Sequence, residues 1–259
     1  MWCMCSRRFA GGRPSLKAAA RNNIVCYVTD RKSLISTPSD SGSVDLVATI
    51  RMALDAGVDW IQIREKDLSA RELLELASQV VPMANQYRGK AQQPARIIVN
   101  ERLDVALAAG AHGVHLGQAS LVAGEVVRWC RAGNAPIDFR IGVSCHSLEE
   151  VRRAEKAKVD YIFFGPIFET PSKKEFGAPQ GIQKLAEVCR AFPRLDVIAI
   201  GGVDTENAAT CIRAGAAGIA AIRMFQEPGD TNAVKETVAS VHEPDAKEES
   251  RRTELKIKR

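Results

Sequence analysis

Short apolar runs alternate along the chain with longer segments whose apolar residues recur at three- and four-residue steps. The runs are Ile24–Thr29, Trp60–Ile63, Arg96–Val99, Gly113–Leu116, Arg140–Val143, Tyr161–Phe164, Val197–Ile200 and Gly218–Ile222. Each is largely apolar, and most are rich in β-branched or aromatic residues, the pattern of strands buried on both faces. Between them, Leu73, Leu76, Ala77, Val80 and Val81 mark one amphipathic helix. Leu148, Val151, Ala154 and Ala157 mark another, with Ser147 as its start and Glu149 and Glu150 in its first turn.

Strict strand–helix alternation implies a parallel sheet. Eight strand segments in about 220 residues predict a single (β/α)8 barrel, the TIM barrel. An open dinucleotide-binding sheet needs a glycine-rich loop after its first strand, and Thr29-Asp30-Arg31-Lys32 stands there instead. An internal echo supports closure. Ala56-Gly57-Val58-Asp59, Ala109-Gly110-Ala111-His112, Ala157-Lys158-Val159-Asp160 and Ala214-Gly215-Ala216-Ala217 each end a helix and lead into a strand. Their spacing of about 50 residues is that of two βα units.

Composition narrows the class. The chain has 259 residues, 46% hydrophobic and 26% charged, which excludes wholesale disorder and fibrous repeats. No apolar run is long enough to span a membrane, and the first twelve residues lack the core of a secretory signal. Seven scattered cysteines then predict a reduced, cytoplasmic protein. The net charge of +5 sits in the tails: residues 1–21 carry five bases and no acid. The body is nearly neutral, so no nucleic-acid footprint is expected. The domain reading is a basic, flexible arm at 1–22, a barrel at 23–242 and a charged, disordered tail at 243–259. The Ser-, Pro- and Gly-rich stretch Ser33–Ser43 reads as a loop.

Catalytic groups of such barrels gather at the C-terminal ends of the strands. After the second strand come Gln62, Arg64, Glu65 and Lys66, and in an extended chain Gln62, Arg64 and Lys66 share one side. Two cations and an amide suit a diphosphate. After the third, Asn100 and Glu101 read either as a helix start or as ligands of Mg²⁺. After the fifth come Ser144 and His146, and His146 reads as a packing residue more than an acid–base group. After the sixth, Thr170, Pro171, Ser172, Lys173 and Lys174 read as an anion clamp. Gly201 and Gly202 after the seventh, with Ile222 and Arg223 after the eighth, occupy the usual phosphate position of barrels. No Ser-His-Asp order, cysteine nucleophile signature or zinc ligand set is present. Two anion sites fit a transferase that expels diphosphate.

The motifs Tyr27-Val28-Thr29-Asp30, Gln62-x-Arg64-Glu65-Lys66, Asn100, Gly113-Val114-His115-Leu116-Gly117-Gln118, Gly142-Val143-Ser144, Gly165-Pro166-x-Phe168, Thr170-Pro171-Ser172-Lys173-Lys174 and Ile200-Gly201-Gly202 resemble, in this order, the thiamine phosphate synthase family. The resemblance spans about Ile24 to Phe225. It implies a barrel that joins an aminopyrimidine diphosphate to a thiazole phosphate and releases pyrophosphate with Mg²⁺. Small phosphorylated substrates are then the partners, and Arg64, Lys66 and Lys173 the catalytic cations. The sequence departs from the family at three places. Glu101 and Ser120 stand where the family has metal-binding Asp, and a neutral hydroxyl is the poorer ligand. Arg223 replaces a small hydroxyl residue. These changes also resemble the related thiazole tautomerases, but their histidine after the sixth-strand glycine is Pro166 here. A barrel that binds a thiazole or thiamine phosphate without turnover is the remaining alternative.

Overall fold

The computed structural model describes residues 23–34, 45–87, 93–170, 178–226 and 231–243. The arm at 1–22, most of the Ser33–Ser43 loop, Pro171, Ser172, Lys173 and the tail beyond 243 lie outside the described residues.

Eight strands carry the fold: β1 (Ile24–Val28), β2 (Trp60–Ile63), β3 (Arg96–Asn100), β4 (Gly113–Leu116), β5 (Arg140–Cys145), β6 (Tyr161–Phe164), β7 (Asp196–Ile200) and β8 (Gly218–Ala221). Each pairs in parallel with the next, and β8 pairs with β1, so the barrel is closed. The helices are α1 (Leu46–Asp55), α2 (Ala70–Ala84), α3 (Leu103–Ala108), α4 (Ala123–Trp129), α5 (Leu148–Ala157), α6 (Gly181–Ala191), α7 (Ala208–Arg213), α8 (Arg223–Gln226) and α9 (Thr231–His242). None of the described helices is long and apolar enough to cross a membrane.

Local sequence explains the helix starts. Ser69 and Glu72 close a reciprocal capping box on α2. Ser147 accepts from the Glu150 N–H at the head of α5, as its sequence predicts. The four echoed turns all rest on a left-handed residue: Gly57 (φ 90°), Gly110 (φ 66°), Lys158 (φ 59°) and Gly215 (φ 98°).

Strand parity sorts the side chains into two cores. Cys26, Val28, Trp60, Ile98, Tyr161, Phe163, Ile198 and Ala220 fill the barrel, while their sequence neighbours pack outward against the helices. The inner core is crowded. A Cβ on Gly142 would lie 2.0 Å from Cζ of Tyr161, so only glycine admits that ring. Trp60 meets Tyr161 edge-on, with ring centroids 4.8 Å apart. Polar inward side chains gather on β2 to β6: Gln62, Asn100, His115 and Ser144, with the Tyr161 hydroxyl beneath them.

Candidate active site

Gln62 points into the barrel near the end of β2 and is 2% exposed. Its Nε2 donates to Oδ1 of Asn100, the last residue of β3, at 2.8 Å. Its Oε1 has no partner, alone among buried side-chain polar atoms of the described residues. A buried acceptor without a donor is costly, and such exceptions mark ligand positions.

Arg64 lies just past β2 and is half-buried. Its backbone N–H donates to Thr29 Oγ1 at 2.9 Å. The Thr29 hydroxyl in turn bonds the Glu65 carboxylate, which also accepts the Arg31 N–H at 3.0 Å. Burial raises the Glu65 pKa, and these hydrogen bonds with the Arg31 charge pull it back. The Glu65 carboxylate therefore serves the β1 loop, where the sequence reading grouped it with substrate contacts. Beyond it the chain turns. Lys66 is exposed, and Asp67 bridges Arg31 at 2.7 Å and Lys32 at 3.0 Å. Those two cations hold Asp67 far below the usual carboxylate range. The shared side expected for Gln62, Arg64 and Lys66 thus ends with the strand at Ile63.

Asn100 and Glu101 do not start a helix, since α3 begins at Leu103. Glu101 adopts a left-handed φ of 63°, a strained choice for this residue and typical of functional positions. Its backbone N–H donates to the His115 carbonyl at 2.8 Å. A Cβ on Gly117 would lie 2.4 Å from Glu101 Oε1 and 3.6 Å from Ser120 Oγ, so both oxygens converge on the space that this glycine leaves. The Gly117 N–H donates to Ser120 Oγ at 2.8 Å. No group of three or more His, Cys, Asp or Glu suited to a metal occurs among the described residues. One carboxylate and one hydroxyl still fit Mg²⁺, which commonly takes one or two carboxylates and completes its shell with water and substrate phosphate.

Ser144, half-buried near the end of β5, lies 2.9 Å from Nε2 of His115, whose Nδ1 is 3.2 Å from the Tyr161 hydroxyl. Burial, with the Arg64 charge, pushes the His115 pKa down to about 3. His146 sits off this line. Its Nδ1 bonds the Gly165 carbonyl and its backbone N–H donates to Glu150.

The loops after β6 and β7 lock together. Ile167 donates to the Ile200 carbonyl and Phe168 to that of Gly201, each at 2.9 Å. Gly201 (φ 92°) and Gly202 (φ 68°) are required twice over: a Cβ would lie 2.6 Å from Pro166 Cα at the first and 2.6 Å from the Glu169 carbonyl oxygen at the second. Of the β6 loop, residues 165–170 and 178–180 are described. Ile222 caps the inner core beyond β8, and the exposed Arg223 opens α8.

The structure thus brings Gln62, Asn100, Arg64, His115 and Ser144 to one mouth, and Glu101 and Ser120 to its edge. Sequence reading assigned no role to Thr29, His115 or Tyr161. The available signal was parity, since His115 and Tyr161 are polar groups at inward strand positions.

The thiamine monophosphate synthase (TMP-TENI) family matches residues 33–225. A thiamine-phosphate synthase of Roseiflexus sp. is 38% identical over 218 residues, covering 84% of each chain. Another, of Methanoculleus marisnigri, is 40% identical over 183 residues, covering 71% of this chain and 81% of that protein. The thiamine phosphate pyrophosphorylase of Pyrococcus furiosus superposes with a TM-score of 0.71 at 27% identity, covering 87% of this chain and 98% of that one. With this barrel, these rim motifs and these relatives, the chain belongs to the thiamine monophosphate synthase family.

Proposed function

We propose that the protein is a transferase that joins 4-amino-2-methylpyrimidine-5-methyl diphosphate to a thiazole phosphate, giving thiamine phosphate and pyrophosphate. The carrying observation is the Gln62–Asn100 pair with its buried, partnerless Gln62 Oε1. An acceptor fixed inside the mouth fits the exocyclic amine of an aminopyrimidine, and Arg64 beside it fits the attached diphosphate.

In this reading Gln62 and Asn100 orient the pyrimidine. Arg64, Lys66 and Lys173 neutralise charge as the C–O bond to the diphosphate breaks. The thiazole phosphate rests on backbone at Gly201–Gly202 and at Ile222–Arg223, with Thr170, Pro171 and Ser172 along the β6 loop. Its ring nitrogen attacks the pyrimidine methylene carbon, and pyrophosphate leaves with the bonding pair. Little proton transfer is asked of the protein, so orientation and electrostatics supply most of the rate. Glu101 and Ser120 would hold Mg²⁺, which supplies further charge neutralisation at the diphosphate. The partners are small phosphorylated molecules, with no nucleic acid and no membrane.

The test is to mix purified protein with both substrates and Mg²⁺ and to measure thiamine phosphate and pyrophosphate. Equal amounts of both products are expected. Absence of both, with the protein folded and the thiazole phosphate bound, would overturn the reading.

A further inference from the structure

We infer that Tyr161 and His115 are positioning residues that set the Ser144 hydroxyl as a hydrogen-bond donor into the barrel mouth. The identity of the acceptor there, a diphosphate oxygen, rests on the function proposed above; the direction of the donor does not.

The three side chains stand at inward positions of β6, β4 and β5. Tyr161 is wholly buried, His115 is 2% exposed and Ser144 is half-buried, so the line runs from the barrel interior toward solvent. The contacts are 3.2 Å from the Tyr161 hydroxyl to Nδ1 and 2.9 Å from Nε2 to Ser144 Oγ. Neighbouring rings fix the geometry. Phe163 lies 4.3 Å from the His115 ring, and Trp60 lies 4.8 Å from that of Tyr161.

Proton placement follows from what each group can do. The hydrogen bonds of the His115 ring go to two hydroxyls and not to a carboxylate, and the charge that acts on it is the cation of Arg64. The ring is therefore neutral, with one donor and one acceptor nitrogen. The Tyr161 hydroxyl has its hydrogen bond to Nδ1. A buried O–H left without an acceptor costs more than an unused oxygen lone pair. Tyr161 thus donates to Nδ1, and the ring proton sits on Nε2. Nε2–H then donates to Ser144 Oγ, so the serine's own hydrogen turns away from the ring and toward the mouth.

This direction matters for an anion. The opposite tautomer would draw the serine hydrogen inward and leave lone pairs facing a leaving diphosphate. The inferred line presents a fixed donor before charge develops, the arrangement that stabilises a transition state without reorganisation.

Imidazole ¹⁵N NMR of the full chain without substrate reads the tautomer directly. The His115 signals should be those of a neutral Nε2–H ring, and Tyr161→Phe should mix the tautomers. In kinetics, Tyr161→Phe should lower kcat roughly tenfold with a smaller change in KM for the pyrimidine diphosphate, and should cost nothing more in a Ser144→Ala background. An Nδ1–H or charged ring in the wild-type protein overturns the inference. An equal loss in the Ser144→Ala background overturns it as well, because the effect would not run through Ser144. Should the protein make no thiamine phosphate, the proposed reaction fails while the NMR result still decides the tautomer. Calorimetry with inorganic pyrophosphate then reads the donor, with weaker binding to Tyr161→Phe expected and equal binding counting against it.

Discussion

The Asp160 carboxylate accepts the Ile141 backbone N–H at 2.7 Å, tying the residue before β6 to the second residue of β5. The same bond recurs around the barrel floor. Asp59 accepts from Val25 at 2.8 Å, and His112 Nδ1 accepts from Ile97 at 2.9 Å. At the fourth echo Ala217 has no side-chain acceptor, and only the backbone bond remains: its N–H donates to the Val197 carbonyl, as those of Asp59, His112 and Asp160 donate to Val25, Ile97 and Ile141. The quarter-barrel repeat of the sequence is therefore a repeat of floor hydrogen bonds. Asp160→Ala leaves the Ile141 N–H unmet and removes the Arg131 ion pair, so it should lower stability by about 1–3 kcal/mol. Asp160→Asn keeps an oxygen acceptor and should cost less. Urea denaturation of the three proteins checks the order, and equal midpoints for Asp160→Ala and wild type would remove the argument.

The strands were legible because burial on both faces makes each one a short, largely apolar run. The misreadings have the same cause. The fifth strand was read to Val143 but extends to Cys145, because the inward Ser144 breaks the apolar run while its ladder with Phe163 continues. Rim residues were legible from their place after each strand. The bonds between Thr29 and Arg64, or His115 and Tyr161, were not, since they depend on barrel register between segments 35 and 46 residues apart. Parity places Gln62 inside the barrel, where it is buried, but could not foresee that the strand ends at Ile63 and leaves Lys66 exposed.

Arg64 should be the most sensitive of the described cations at the mouth. Its backbone is pinned through Thr29, and its charge reaches the buried His115. Arg64→Ala should lower kcat/KM roughly 10²-fold or more by removing a preorganised charge from the leaving group. Lys173→Ala should do the same. Wild-type steady-state rates in both variants would remove the diphosphate grip.

Glu65 should leave a mark on the pH dependence of stability. Its pKa is raised in the folded state, chiefly by burial. A carboxyl of this kind binds its proton more tightly when folded. Its contribution is complete below the ordinary carboxylate value and is lost as pH rises through the raised one. Glu65→Gln removes the titration, so its curve should be flatter than that of wild type just above about pH 4. Parallel urea midpoints from about pH 4 to about pH 7 would show that Glu65 does not titrate there.

The proposed Mg²⁺ edge has one carboxylate where two would bind more tightly. Ser120 Oγ and Glu101 Oε1 face the same space over Gly117. Ser120→Asp adds a second charged oxygen ligand and should tighten Mg²⁺ binding in calorimetry, with pyrophosphate present to complete the shell. An unchanged Mg²⁺ isotherm would mean that position 120 does not face the ion.

His146 separates synthase from tautomerase. A tautomerase needs a group that takes a proton from one thiazole carbon and returns it to another. Pro166 has no such group, and His146 is the nearby histidine whose strand ends at the rim. Its Nδ1, however, is committed to the Gly165 carbonyl, and its backbone is held by Glu150. This geometry makes it an anchor of the β6 loop. His146→Ala should therefore leave pyrophosphate release within severalfold of wild type, with any loss falling on KM for the thiazole phosphate as the loop loosens. Neither protein should isomerise the thiazole phosphate when the pyrimidine substrate is withheld. Isomerisation that depends on His146, without pyrophosphate release, would move the protein to the tautomerase branch and leave the Arg64 cation to bind a phosphate instead of expelling one.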